Sequence, residues 1–238
     1  MRRRHAQLWI VFAALLVCGA VITWLAFRGA VQQDRRNRAL ISAIQRYDTV
    51  GVVALLKDGA DPNARDHSSA MTPWDFLRTR LSGKPARFST GAAALDLVFE
   101  SANILDHPDQ PFRSQSFTTR PEPVIIVREL VRKGAKVNGN IGDQPGWPLV
   151  LSPAQNGWAD SVQVMLDKGA DPNARGANGA SVLSFAVNSK NARLVKLLLA
   201  RGANVNARDL QNRTALTDAS IFSTPEIIAT LKQAGAKR

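Results

Sequence analysis

Leu55-Leu56-Lys57-Asp58-Gly59-Ala60-Asp61-Pro62-Asn63-Ala64-Arg65 decides the fold of this chain because it comes back. It returns as Met165-Leu166-Asp167-Lys168-Gly169-Ala170-Asp171-Pro172-Asn173-Ala174-Arg175, and again as Leu198-Leu199-Ala200-Arg201-Gly202-Ala203-Asn204-Val205-Asn206-Ala207-Arg208. Weaker copies run from Leu130 to Asn138 and from Leu231 to Lys237. The glycines stand at 59, 134, 169, 202 and 235, and the last three gaps are 35, 33 and 33 residues. A fixed period of that size marks an array of stacked helical units. In each copy an apolar pair closes a helix. Gly then ends it, because the position after the last turn takes a positive φ that only Gly reaches without cost. Asn63, Asn173 and Asn206 suit a tight turn whose side chain bonds its own backbone. One such unit cannot bury its apolar face alone, so neighbours must stack.

The residues between the copies identify the repeat. Asp209 is followed by Thr214-Ala215-Leu216-Thr217-Asp218-Ala219; Ser181-Val182-Leu183-Ser184-Phe185-Ala186 fills the same slot one period earlier, and Thr72-Pro73-Trp74 fills it near the start. This resembles the ankyrin pattern of Asp, a turn residue, then Thr-Pro-Leu-His-x-Ala. Ser184 and Thr217 stand where that pattern has His. The resemblance covers most of residues 37–238 and is weakest over 81–120. It implies helix pairs joined by hairpin-like tips. It also implies protein binding through the tips and the first helix of each pair. On this chain the tip candidates are His67, Ser68, Ala177, Asn178, Leu210, Gln211 and Arg213, and the helix-face candidates are Asn188, Ser189, Ile221 and Phe222. Leu210 and Phe222 stand out, since an exposed apolar group needs a partner to cover it.

The amino end has a different character. Leu8 to Phe27 is 20 residues without a charge, with Trp9 and Trp24 near its ends and Arg2, Arg3 and Arg4 before it. At about 1.5 Å per residue a helix of that length spans a bilayer core of roughly 30 Å. A cleaved signal peptide has the same outline, but the small residues Cys18-Gly19-Ala20 lie inside the apolar run, and Arg28 breaks the later Gly29-Ala30 site. An uncleaved anchor is expected. Arg28, Arg35, Arg36 and Arg38 follow the span, so the arginine counts on its two sides nearly balance. Short arginine-bearing tails usually stay cytoplasmic, which favours repeats outside the cytoplasm: the periplasm if the source is a bacterium, a lumen elsewhere. Cys18 is the one cysteine, so no disulfide within the chain is available.

Composition narrows the chemistry. The net charge is +12, and residues 1–38 alone hold seven Arg against one Asp. Half the basicity is therefore close to the span, where anionic headgroups would meet it. No basic run interleaves with aromatics, so nucleic acid is not expected as a partner. His5, His67 and His107 share no helix face at ligand spacing, so no metal site is expected. Ser82-Gly83-Lys84-Pro85 lacks the hydroxyl residue of a phosphate loop, and Asn212-Arg213-Thr214 matches a glycan acceptor but reads as a turn. No cofactor, small-molecule substrate or catalytic constellation is expected, nor a catalytic tail after Ala236.

The gap from Gly59 to Gly134 is 75 residues. Within it Gly91 to Asn103 reads as a helix that echoes the end of a repeat, either a decayed unit or an inserted one. His107 to Pro123 reads as a long loop on turn chemistry.

The expected organisation is a basic tail over 1–7, a transmembrane helix over 8–27, a juxtamembrane link over 28–36 and an all-α ankyrin-type solenoid over 37–238. The solenoid has five or six repeats and an irregular insertion at about 82–120. The expected function is non-enzymatic binding of a protein at a membrane. The alternative is an inhibitor or immunity-type protein that blocks one toxin or enzyme.

Overall fold

The computed structural model describes residues 2–66, 72–73, 76, 93–103, 123–141 and 146–237, without the side chains of 2–14, 100–103 and 222. Helix α1 runs unbroken from Arg2 to Gln45 and α2 covers Thr49–Lys57. Then come α3 (Ala94–Asn103), α4 (Val124–Arg132), α5 (Leu151–Gln155) and α6 (Ala159–Asp167). The last are α7 (Val182–Asn188), α8 (Ala192–Ala200), α9 (Ala215–Phe222) and α10 (Pro225–Gln233). Among the described residues there is no strand, only four isolated antiparallel bridges at the tips.

The helices stack in two layers. The end of α1 pairs with α2, α3 with α4, α5 with α6, α7 with α8 and α9 with α10. Along the stack the second helices touch in series: α2 on α4, α4 on α6, α6 on α8, α8 on α10. The first helices form the other layer, with α1 on α3, α5 on α7 and α7 on α9. One continuous apolar core runs between the layers, with Leu40, Leu95, Leu130, Met165, Leu198 and Ile227 fully buried. Gly59, Gly134, Gly169, Gly202 and Gly235 all have φ between 84° and 100°, so each ends its helix as the sequence implies.

Three expectations change. The first concerns the asparagines. The turn after Gly59, Gly169 and Gly202 is closed by the residue two before the Asn: the Asn63 N–H donates to Asp61 Oδ1 at 2.8 Å, Asn173 to Asp171 at 2.8 Å and Asn206 to Asn204 at 2.9 Å. That leaves the Asn side chains to reach the next repeat. Asn63 Nδ2 donates to the Gly134 carbonyl and its Oδ1 accepts from Lys136 N–H. Asn138 does the same with Gly169 and Asp171, Asn173 with Gly202 and Asn204, and Asn206 with Gly235 and Lys237. A polar ladder thus zips the loop end of the stack, satisfying backbone groups left over at each helix end.

The second concerns α3. Its Ala94 N–H donates to the Ala64 carbonyl at 2.8 Å, as Val182 does to Ala174 at 3.0 Å. Arg65 bridges to Ala93 as Arg175 does to Ser181 and Arg208 to Thr214. Helix α3 therefore opens the second pair instead of closing one, and five pairs stack among the described residues. Ala93, and not Thr72-Pro73, occupies the slot beside Arg65. The chain between the bridged residues covers 66–92 in this tip against 176–180 and 209–213 in the later ones.

The third concerns residues 28–36, expected as a link. They are part of α1. Its Gln33 donates to the Gly59 carbonyl at 2.9 Å and Asn37 Oδ1 accepts from Asp61 N–H at 2.9 Å. These are the same two backbone groups that the Asn ladder satisfies in every later loop, so α1 supplies the rung that a preceding repeat would have given.

Candidate partner-binding face

The tips after the third and fourth loops are small and fixed. In the first, Asn178 Oδ1 accepts from the Ala180 N–H at 3.1 Å, and Gly179 takes φ 76°. In the second, the Asp209 carboxylate accepts from the N–H groups of Gln211 and Arg213 at 3.0 and 2.8 Å and from the Arg213 guanidinium at 2.8–2.9 Å. Burial pushes the Asp209 carboxyl up, but the bonds from Arg213 and Gln211 outweigh it and hold the group below the usual aspartate range. Arg213 is thus a clamp on its own tip. The two tips are tied together, since Leu210 N–H donates to the Asn178 carbonyl at 3.1 Å and the Arg175 guanidinium donates to the Arg208 carbonyl at 2.7 Å.

This rigidity presents specific side chains. Leu210 is 75% exposed at the apex of its tip. A Cβ placed on Gly179 would come within 3.1 Å of the Leu210 nitrogen, so Gly179 lets the neighbouring tip approach closely. Ala177 and Gln211 are exposed beside it. On the first-helix layer, Asn188 ends α7 and Ile221 lies in the last turn of α9, 62% exposed. Ser189 caps α7, and its hydroxyl donates to the Ala186 carbonyl at 2.8 Å. The side chain of Phe222 and the whole of His67 and Ser68 lie outside the described residues.

One member of the face was not singled out from sequence. Exposed Gln155 ends α5 in the register of Asn188 and Ile221, at steps of 33 residues. The period itself would have found it. The first-helix layer thus presents an edge that changes from amide to aliphatic along the stack. The opposite, second-helix layer is different in kind. There Arg193 pairs with Asp160 at 2.6 Å and Lys196 with Glu226 at 2.7 Å across adjacent repeats, a solvated ion-pair surface.

Asp218, beneath the last tip, is buried, and burial raises its carboxyl above the usual range against the pull of Arg213 and Ser184. It sits under the helix start, 3.9 Å from Arg213. Among the described residues no group of three His, Cys, Asp or Glu is gathered as a metal site.

A stack of helix pairs with ordered tips and a hydrogen-bonded loop edge defines an α-solenoid of the binding type. Residues 151–237 match the ankyrin-repeat family in three copies. The chain carries ankyrin repeats, and the two pairs before Leu151 stack on the same ladder. The chain is 33% identical over 102 residues to an ankyrin repeat-containing protein of Treponema pallidum, covering 43% of this chain and 34% of that protein. It is 42% identical over 78 residues to protein PhlB of Serratia liquefaciens, covering 32% and 34%. It is 29% identical over 104 residues to an ankyrin repeat protein of Acanthamoeba polyphaga mimivirus, covering 42% and 64%. The chain spans about a third of the length of the first two relatives. Ankyrin repeats generally mediate contacts between proteins, and this chain shares their architecture.

Proposed function

We propose that this protein is a non-enzymatic binding module, held at a membrane through residues 8–27 and taking a protein partner on the tip and first-helix face. The observation that carries the reading is Leu210, an aliphatic side chain 75% exposed on a backbone held by hydrogen bonds on both sides. An exposed apolar residue on a fixed backbone gives up only its side-chain freedom on binding, which is what a binding anchor requires. Ile221 presents a second exposed apolar group on the last first helix, at the end of α9 away from the tip. The protein's partner-facing chemistry is therefore aliphatic with an amide border from Gln155, Asn178 and Asn188.

A photo-crosslinking side chain at position 210, and separately at Lys196 on the ion-paired layer, tests this in cells. The adduct is expected from 210 and not from 196, and Ile221→Ala is expected to weaken it at least about tenfold, near 1.4 kcal/mol, with unchanged helical circular dichroism. Equal adducts from both positions would remove the assigned face. The membrane part of the proposal rests on α1, whose apolar stretch from Leu15 has a mean hydropathy of 1.6 and no buried share. We place the repeats outside the cytoplasm. With Cys18 replaced by Ser and a single cysteine at Asn178, a membrane-impermeant maleimide is expected to label intact cells. Labelling only after lysis reverses the orientation.

A further inference from the structure

Helix α1 does more than begin the chain. It enters the solenoid as the first helix of the first pair, with no break between its apolar part and its packed part. Its direction therefore fixes which end of the stack faces the side from which it comes. Helix α2 runs back along α1, so Lys57 lies nearer the apolar segment than Thr49 does. The rungs from Gln33 to Gly59 and from Asn37 to Asp61 pin the first loop to α1 one to two and a half turns beyond Arg28, roughly 8–14 Å along the axis at about 1.5 Å per residue. The ladder then carries that position to the second loop, because Asn63 bonds both Gly134 and Lys136. A second contact agrees. Phe76, on the extended first tip, meets Phe27 edge-on with ring centroids 5.6 Å apart, and Phe27 is the last residue of the apolar run.

The loop end so placed is basic at its exposed positions. Lys57, Lys133 and Lys136 are all exposed, as are Arg28, Arg35 and Arg36 on α1. The carboxylates near them on the loop are Asp58 and Asp61; Glu129 is held chiefly by Arg132 at 2.7 Å and more weakly attracts Lys133 and Lys57. We infer that the loop end of the first two repeats lies on the membrane that α1 enters, with Lys57, Lys133 and Lys136 against anionic lipid headgroups. This rests on the anchoring role given to α1 above. The distances favour it: the loop lies about one to two Debye lengths beyond Arg28 at physiological salt, near enough for lysine side chains reaching toward the surface to feel the leaflet, where each cation gains on the order of 1 kcal/mol. The tip part of the partner face follows from the same geometry, because the tips leave from the loop end. Leu210 is then presented close to the membrane, to a partner that is itself at the lipid surface.

The test uses the full chain in lipid vesicles. With Cys18→Ser as background, a fluorophore is attached at Asp58→Cys or at Val50→Cys, opposite ends of α2. The vesicles are phosphatidylcholine with or without phosphatidylglycerol, and carry a headgroup-attached quencher. With phosphatidylglycerol, quenching at 58 is expected to exceed that at 50 by about threefold, and to fall about twofold in pure phosphatidylcholine or with Lys57→Glu, Lys133→Glu and Lys136→Glu together. Equal quenching at 58 and 50, or quenching at 58 that ignores both lipid charge and charge reversal, overturns the lipid contact. A fluorophore on native Cys18 with an acyl-chain quencher separates the two ideas. If it is quenched while 58 fails, only the headgroup contact falls. If Cys18 is not quenched, α1 is outside the bilayer and both fall.

Discussion

Leu198→Ala is expected to lower the folding free energy by about 2–5 kcal/mol, the usual cost of truncating a fully buried leucine. Leu198 is wholly buried in α8, the second helix of the fourth pair. That helix is packed on three sides, by α6, α7 and α10. A cavity there cannot collapse without pulling two inter-repeat interfaces out of register. Its carbonyl also accepts from Arg201 and Ala203, closing the helix at Gly202. In a stacked array, stability is a sum of unit and nearest-neighbour terms, so an interior loss is felt on both sides. Leu231→Ala in α10 is the informative comparison, since it too is fully buried but, among the described residues, its pair has a neighbouring pair on one side only. Chemical denaturation of the interior variant is expected to stay a single shifted transition. The terminal variant is expected to show early loss of the last pair alone. A shift below about 1 kcal/mol for Leu198→Ala would mean that this leucine does not hold the stack together.

The stack was legible because its signals are local and recur. Gly202 needs a positive φ wherever it stands, and a 33-residue period repeats that need. The ladder was not legible in the same way. Asn63 and Asn173 look like turn residues, but Asp61 and Asp171 already fill that role, and the amides bond atoms 71 and 29 residues away. Nothing within ten residues of Asn63 distinguishes the two roles. Helix α3 is legible as a helix, but its place in a pair is not, because Ala102-Asn103 imitates the close of a repeat. Only the bond from Ala94 to Ala64 shows which end it is. On the proposed partner face, Leu210 and Ile221 are visible in the sequence as apolar residues at tip and helix-face positions. Arg213 looked equally available, yet most of its guanidinium is engaged by Asp209. That depends on a rotamer which sequence does not specify. The role of Gln33 and Asn37 was hidden because they precede the first recognisable repeat and sit in an arginine-rich stretch that reads as a charged link.

Arg36→Pro is expected to separate the apolar part of α1 from the solenoid at a cost of about 3 kcal/mol or more, because proline inside a helix removes one hydrogen bond and clashes with the carbonyl four residues back. Position 36 is exposed, so the loss comes from the backbone and not from packing. It falls between the two rungs that α1 supplies. Asn37 stays with the packed end of the helix, while Gln33 is carried away from the Gly59 carbonyl. The first pair then keeps its core residues Leu40, Ile44 and Leu56 but loses the cap on its outer edge. Amide exchange in α2 is the direct readout, and its protection is expected to fall about a hundredfold, with the last three pairs unchanged. Gly29→Pro is the control. It breaks the same helix before either rung, at a position where an added Cβ meets nothing. If α1 acts as the missing repeat, Gly29→Pro leaves α2 protected and Arg36→Pro does not. If both leave it protected, the rungs are incidental and the solenoid ends on its own at α2. If both expose it, the whole of α1 is needed for folding, and the boundary between anchor and repeat domain lies closer to the bilayer than Arg28.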